Sequence, residues 1–190
     1  MFQYFKNKAR ISAINKVRKK LKRKMGFSNL NSIKSVGIII RYQFNIENEA
    51  LRRLLDFFKN RNVKPELLIY YPEKQAPKDM SAQDNMLLFT EKDSNWFGKP
   101  NLKELDTFTN REFDLLIDLS IKHIYSLQYI VESSKASFKV GRISYDETPY
   151  DFVLLGDNEN DSQYVKDLFS YLSKLNQYDD NLFSNLSKLK

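Results

Sequence analysis

The positively charged side chains of this sequence are concentrated at its beginning, and their chemistry is that of anion binding. The first 25 residues hold ten Lys or Arg and no Asp or Glu. These ten candidates for binding nucleic acid or another anion are Lys6, Lys8, Arg10, Lys16, Arg18, Lys19, Lys20, Lys22, Arg23 and Lys24. Cations that meet phosphates release counterions, so several together bind a polyanion in a salt-dependent way without reading its sequence. The alternative is a solvated charged helix, but ten cations without an acid exceed what solubility requires.

The net positive charge comes from the first 34 residues, which we call the basic arm. Residues 1–34 carry eleven of the 31 basic residues, and the other 20 face all 24 acids. Cysteine is absent, which excludes a disulfide framework, a thiolate zinc site and a cysteine nucleophile. Without a long apolar run or a secretory signal, the sequence predicts a cytoplasmic protein, with association to a membrane as the alternative.

A second candidate site is the loop at 93–100, which contains Trp96, Phe97 and Lys99. An aromatic pair beside a cation can stack on a base or fill a pocket of a partner protein. The alternative interpretation is that both rings close the edge of the core.

A third candidate site follows the apolar run Leu115, Leu116, Ile117. Asp118, Ser120 and His123 come after it, where open α/β sheets place their ligand crevices. We favour the interpretation that Asp118 caps the next helix, and a lone histidine near a helix start is usually structural.

The motifs that would indicate catalysis or cofactor binding do not occur. The sequence has no Gly-x-Ser-x-Gly, no Gly-x-Gly-x-x-Gly and no Gly-x-x-x-x-Gly-Lys-Ser/Thr. The acidic loop at 156–161 lacks the ligand spacing of a calcium loop. We therefore predict no catalytic residue, no metal ligand and no cofactor.

The elements that must position these groups follow from the apolar pattern. Apolar residues at helical spacing predict a basic helix over 4–25 that ends at Gly26, with an apolar stripe formed by Ile11, Ile14, Val17, Leu21 and Met25. Apolar runs then alternate with helical patterns, which predicts a single Rossmann-like α/β domain with a mostly parallel five- or six-stranded sheet. The predicted domain organisation is a basic helix and linker at 1–34, the α/β domain at 35–175 and a tail at 176–190. Asn45 and Asn101 are predicted helix caps, and the last helix is predicted to end near residue 175.

Two resemblances accompany this pattern. The segments 113–120 (Phe-Asp-Leu-Leu-Ile-Asp-Leu-Ser), 126–127 and 136–142 are similar to the amino-terminal half of the heptosyltransferase family. That resemblance implies a Rossmann-like fold and, because the family's Gly-Asp pair is missing after the first strand, a degenerate glycosyltransferase-like or sugar-nucleotide-binding domain. The basic helix together with 35–38, 95–100, 113–120 and 138–142 resembles an uncharacterised domain family of Bacteroidota. This second resemblance implies a bacterial protein without an assigned chemistry.

The sequence as a whole predicts a non-enzymatic protein whose basic helix contacts RNA, on a ribosome or its precursor, while the globular domain contacts protein. Lysine- and arginine-rich segments that fold on binding are a common mode of RNA recognition. A peripheral protein of an anionic membrane or membrane complex is one alternative, since Phe2 and Phe5 could insert beside the basic face. The degenerate glycosyltransferase is the other.

Overall fold

The structure, a computed structural model, describes most of the chain. Described are residues 1–27, 29–42, 49–76, 85–145, 147–156 and 161–186, with 176–186 as helix backbone only. Within this part, six strands alternate with five α-helices and one short 3-10 helix. The predicted α/β class is confirmed.

The strands form one sheet in which each strand pairs with its neighbour in parallel. They are β1 Val36–Arg41, β2 Glu66–Tyr71, β3 Met86–Thr90, β4 Leu115–Asp118, β5 Phe138–Gly141 and β6 Phe152–Val153. Their order across the sheet is β3-β2-β1-β4-β5-β6. This order places β1 and β4 at the centre, and it is the strand order of a Rossmann-like sheet.

The helices cover both faces of the sheet. They are α1 Phe2–Lys20, α2 Glu49–Lys59, α3 Lys103–Asn110, α4 Tyr125–Ser133 and α5 Asp161–Leu186, and the 3-10 helix is Glu91–Asp93. Helices α2 and α5 share one core cluster, in which Leu54 and Leu168 are fully buried. Helices α3 and α4 share the other, and α1 packs against α4. Because both faces are covered, the central strands are apolar on both sides, and Leu115, Leu116 and Ile117 are all buried.

The basic helix is shorter than predicted and ends at Lys20. Leu21 is already extended (φ −66°, ψ 121°), and the N–H of Gly26 donates to the carbonyl of Ser137 at 3.1 Å. The segment after α1 is therefore extended and hydrogen-bonded to the residue that precedes β5, instead of continuing as helix. The apolar stripe is only partly buried, because Ile14 faces the core whereas Ile11 and Met25 are exposed.

Three further predictions concerned where helices begin or end. The N-cap of α3 is Leu102 rather than Asn101, and it makes no side-chain capping bond. Helix α5 continues to Leu186, well past the predicted end near residue 175. The predicted cap Asn45 lies outside the described residues.

Candidate functional site

Arginine side chains fix the amino-terminal helix on the domain. The Nε of Arg10 donates to the carbonyl of Phe97 at 2.7 Å, and its guanidinium lies 4.7 Å from the centre of the Tyr125 ring. The hydroxyl of Tyr125 donates in return to the carbonyl of Arg10 at 3.3 Å. Helix α1 is thus held to α4 and to the loop at 93–100.

Two further arginines of the arm pair with acids of the domain. The Nε of Arg18 donates to Glu132 at 3.0 Å, and the same guanidinium reaches Glu147. Arg23 forms a two-pronged pair with Asp151, in which Nη1 donates to Oδ2 at 2.8 Å and Nη2 donates to Oδ1 at 2.5 Å. Its Nη1 also donates to the carbonyls of Ala136 and Ser137. These arginines, which we predicted to bind an external anion, therefore have partners within the protein.

The lysines of the arm are placed differently from its arginines. Lys6 is half-buried, and the other six are exposed: Lys8, Lys16, Lys19, Lys20, Lys22 and Lys24. Between these lysines and the acids of the described residues there is no ion pair. The arginines anchor the segment, and the lysines remain on its surface.

A groove of about 830 Å³ lies between α1 and the helices α3 and α4. Five lysines line it, and none of the described residues in its wall is acidic: the five are Lys16, Lys20, Lys22, Lys99 and Lys135. The rings of Phe97 and Tyr129 also contribute to the wall, and the Nζ of Lys99 lies 5.5 Å from the centre of the Tyr129 ring. Such a groove, with cations and aromatic rings together, suits a chain of phosphates that carries flat bases.

The sequence identified four of these lysines but missed Lys135. Lys135 follows α4 directly and is far from the arm in sequence. Only the docking of α1 against α4 brings it to the groove. A lysine that follows a helix is a common pattern, so the sequence around Lys135 does not indicate a binding site.

The loop at 93–100 places its two aromatic rings in different surroundings, although they touch edge to face at 5.2 Å between centres. Its turn is held by the Asn95 side chain, whose Oδ1 accepts from the N–H groups of Phe97 and Lys99, and by Gly98 at φ +90°. Phe97 faces Tyr125 at 6.5 Å between ring centres. Trp96 is 58% exposed and lies 5.9 Å from the Phe2 ring. Phe97 thus belongs to the docking contact of α1, whereas Trp96 faces outward.

Asp118 and Ser120 are buried at the end of β4. The Oδ1 of Asp118 accepts from the Ser120 N–H at 2.9 Å, and its Oδ2 accepts from the Tyr150 hydroxyl at 2.7 Å. Burial raises the pKa of the Asp118 carboxyl. Asp118 does not cap α4, whose N-cap is Ile124 without a side-chain capping bond. The capping interpretation was therefore wrong, because Tyr150 from a distant loop takes one oxygen and a local turn takes the other.

His123 is exposed, whereas Asp118 is buried with its two oxygens bonded to Ser120 and Tyr150. The His123 ring contacts Tyr145 at 4.5 Å between centres. His123 lines a second cavity, a cleft beside the carboxyl end of β1, together with Lys6, Arg10 and Arg41.

Neither a cluster of metal ligands nor a membrane-spanning helix occurs in the described part of the chain. No group of three or more His, Asp or Glu side chains there is arranged to hold a metal ion. None of the described helices combines the length and the apolar character that crossing a bilayer requires.

The chain belongs to a family of unknown function, DUF6913, whose sequence model matches residues 6–175. The match includes most of α1 as well as the whole sheet, so the basic helix is part of the family's domain. No curated protein and no solved structure matches the chain.

Proposed function

We propose that this protein binds RNA without catalysing a reaction, through the lysine groove between α1 and the helices α3 and α4. The observation that carries the proposal is the composition of the groove wall, which has five lysines and no acid among the described residues. Phosphates of a single strand would follow the lysines, and bases would meet Phe97 and Tyr129.

The docking of α1 supports this function. A free basic arm must lose conformational freedom when it binds, and that loss lowers its affinity. Here Arg18 and Arg23 already hold the arm on the domain through Glu132 and Asp151. The lysines are therefore pre-arranged for a ligand, which reduces the entropy lost on binding. A ribosome or its precursor is the RNA partner that we favour, and other surfaces of the α/β domain then remain for protein contacts.

The direct test is binding of a fluorescent single-stranded RNA, measured by anisotropy. The triple variant Lys16→Gln, Lys20→Gln, Lys135→Gln should lose most of the affinity. The matched control is Lys59→Gln, Lys64→Gln, Lys166→Gln, which removes the same charge from exposed positions outside the groove. Equal affinity for the two triple variants would reject the groove as the RNA site.

A peripheral role at an anionic membrane is the second candidate, favoured by one observation. The start of α1 exposes several large rings, with Phe2 67%, Tyr4 66% and Phe5 55% exposed. Aromatic residues beside lysines are typical of helices that lie in a membrane interface. Flotation with anionic vesicles separates the two candidates, because replacing Phe2 and Phe5 by Ser abolishes membrane binding and leaves the RNA groove intact.

A cytoplasmic location, a source among the Bacteroidota and the distant similarity to heptosyltransferases are supported by features of the sequence alone. For the last of these, a thermal-shift screen with nucleotide sugars is the appropriate test.

A further inference from the structure

The cleft that His123 lines is at the point in the sheet where chain connections diverge. Its wall contains Arg41 at the carboxyl end of β1, and Lys122 and His123 from the segment that follows β4. Strands β1 and β4 are neighbours at the centre of the sheet. The chain leaves β1 toward α2 on one face of the sheet and leaves β4 toward α4 on the other face. Open α/β sheets bind their ligands in the crevice created by this divergence.

The cleft is strongly positive. It has a volume of about 550 Å³ and contains four cations and one carboxylate, Glu91, among the described residues. The cations are Lys6, Arg10, Arg41 and Lys122. None of the four forms an ion pair with a described acid. Like charges around one small volume repel each other, and a bound anion would remove that cost.

Arg41 gives the most specific indication. It is the last residue of β1, and its Nε is buried without a hydrogen-bond partner in the described part of the protein. A buried donor without an acceptor is destabilising, so such groups in folded proteins point to a missing partner. An anionic oxygen in the cleft would supply the acceptor.

Helix α4 adds to the positive potential. Residues Ile124, Tyr125 and Ser126 line the cleft, and α4 begins at Tyr125. The amino-terminal end of this helix, with its partial positive charge, therefore faces the same space as Arg41. Phosphate groups are common ligands in such a position.

An aromatic surface completes the cleft. Trp96 lines it and is 58% exposed, although large apolar rings are usually buried. The bond from Arg10 to the carbonyl of Phe97 fixes the loop that presents Trp96. A flat ring can stack there while charged groups reach the cations.

We infer that this cleft binds a nucleotide, with its phosphates at Arg41, Lys6 and Lys122 and its base against Trp96. The phosphates would be bound by side chains and by the end of α4, which is consistent with a sequence that has no glycine-rich phosphate loop. The cleft and the lysine groove are separate sites, because no described residue lines both.

The test uses the full chain and titration calorimetry with ADP and with pyrophosphate. We expect saturable ADP binding that weakens by at least about tenfold in Arg41→Gln and in Lys122→Gln, since each removes a charge-assisted contact. Trp96→Ala should lower the affinity for ADP but leave the affinity for pyrophosphate unchanged. Because Lys122 is exposed, its variant keeps the test valid if Arg41→Gln fails to fold.

The double variant Lys16→Gln, Lys20→Gln separates this inference from RNA binding. It should lose RNA affinity and keep ADP affinity. If the protein does not bind ADP, the proposed nucleotide site is rejected whatever the outcome for RNA. The same holds if ADP binding is lost in this groove variant but is unaffected by Arg41→Gln and Lys122→Gln. Equal affinity for pyrophosphate and ADP would likewise reject the proposed contact between the base and Trp96.

Discussion

The hydroxyl of Tyr150 donates a 2.7 Å hydrogen bond to the carboxylate of Asp118, and both side chains are buried. Asp118 is 2% and Tyr150 6% exposed. Burial raises the pKa of the carboxyl above its ordinary value of 3.8, and burial next to that carboxyl raises the pKa of Tyr150 as well. The contact joins the end of β4 to the segment that leads into β6.

Replacing Asp118 by Asn should change how stability depends on pH. Because the folded state holds the Asp118 proton more tightly than the unfolded state, this residue stabilises the fold most below pH 3.8. That contribution is lost as the pH rises through the raised pKa. The stability of Asp118→Asn relative to wild type should therefore increase with pH above about 4, as measured by urea unfolding. A difference that stays constant with pH would show that the carboxyl is not perturbed.

Gly141 should not tolerate a side chain, because Tyr150 occupies the space beside it. A Cβ at Gly141 would lie 2.4 Å from the Tyr150 ring, and moving that ring would break its bond to Asp118. We expect Gly141→Ala to cost about 1–3 kcal/mol of unfolding free energy. The matched control is Gly26→Ala, where a Cβ would meet no atom within 4 Å. Similar stability of the two variants in urea would contradict the packing described here.

Lys139 should make the protein more stable as the pH rises above neutrality. Its side chain is buried, and its Nζ donates to the carbonyl of Val131 at 2.6 Å. Burial, followed by the charge of Arg23, lowers the pKa of Lys139 from 10.5 to about 7. Between these values the unfolded chain binds the proton and the folded protein does not, so each pH unit adds up to about 1.4 kcal/mol to stability.

The variant Lys139→Met removes this titration and keeps most of the volume. Its urea midpoint should change less than that of wild type between pH 7 and 10, and the exposed control Lys166→Met should follow wild type. If Lys139→Met and Lys166→Met show the same pH profile, the buried amine is not responsible.

Breaking the pair of Arg23 with Asp151 should release the segment after α1. The two side chains are only 12% and 11% exposed, so removal of one leaves the other charge poorly solvated. We expect Arg23→Ala to cost about 3 kcal/mol, whereas Lys24→Ala, at the exposed neighbour, should be nearly neutral. Thermal unfolding of both variants at one pH measures the difference. Equal melting temperatures would mean that the pair does not hold the segment.

The central part of the fold could be predicted from the sequence, because its signals are local. Consecutive apolar residues such as Leu115, Leu116 and Ile117, in a run too short for a helix, indicate a strand covered on both faces. The end of α1 could not be predicted, since no helix-stopping residue lies near Lys20 and the segment after it contacts the distant residues Ser137 and Asp151.

The candidate sites depend on contacts between distant segments, and the sequence pattern does not contain these. Arg23 and Asp151 are 128 residues apart, so anchoring arginines and exposed lysines looked alike in the basic arm. Arg41 was missed for a different reason. A basic residue at the end of β1 was visible in the sequence, but its importance follows from the strand order, which makes β1 and β4 neighbours.

The lysine groove makes a quantitative prediction about salt. For single-stranded nucleic acid, the logarithm of affinity falls with the logarithm of salt concentration by about 0.7 for each phosphate that is neutralised. Lys20→Gln and Lys135→Gln should each reduce that slope by about 0.7 if each lysine meets one phosphate, and the double variant should reduce it by about 1.4. Arg23→Ala should lower affinity through the position of the arm while changing the slope little, because Arg23 is already paired with Asp151. Anisotropy titrations of one labelled RNA over a salt series measure these slopes, with Lys59→Gln as the control. Slopes that decrease for Arg23→Ala and remain unchanged for the two groove lysines would show that RNA contacts the arginines instead.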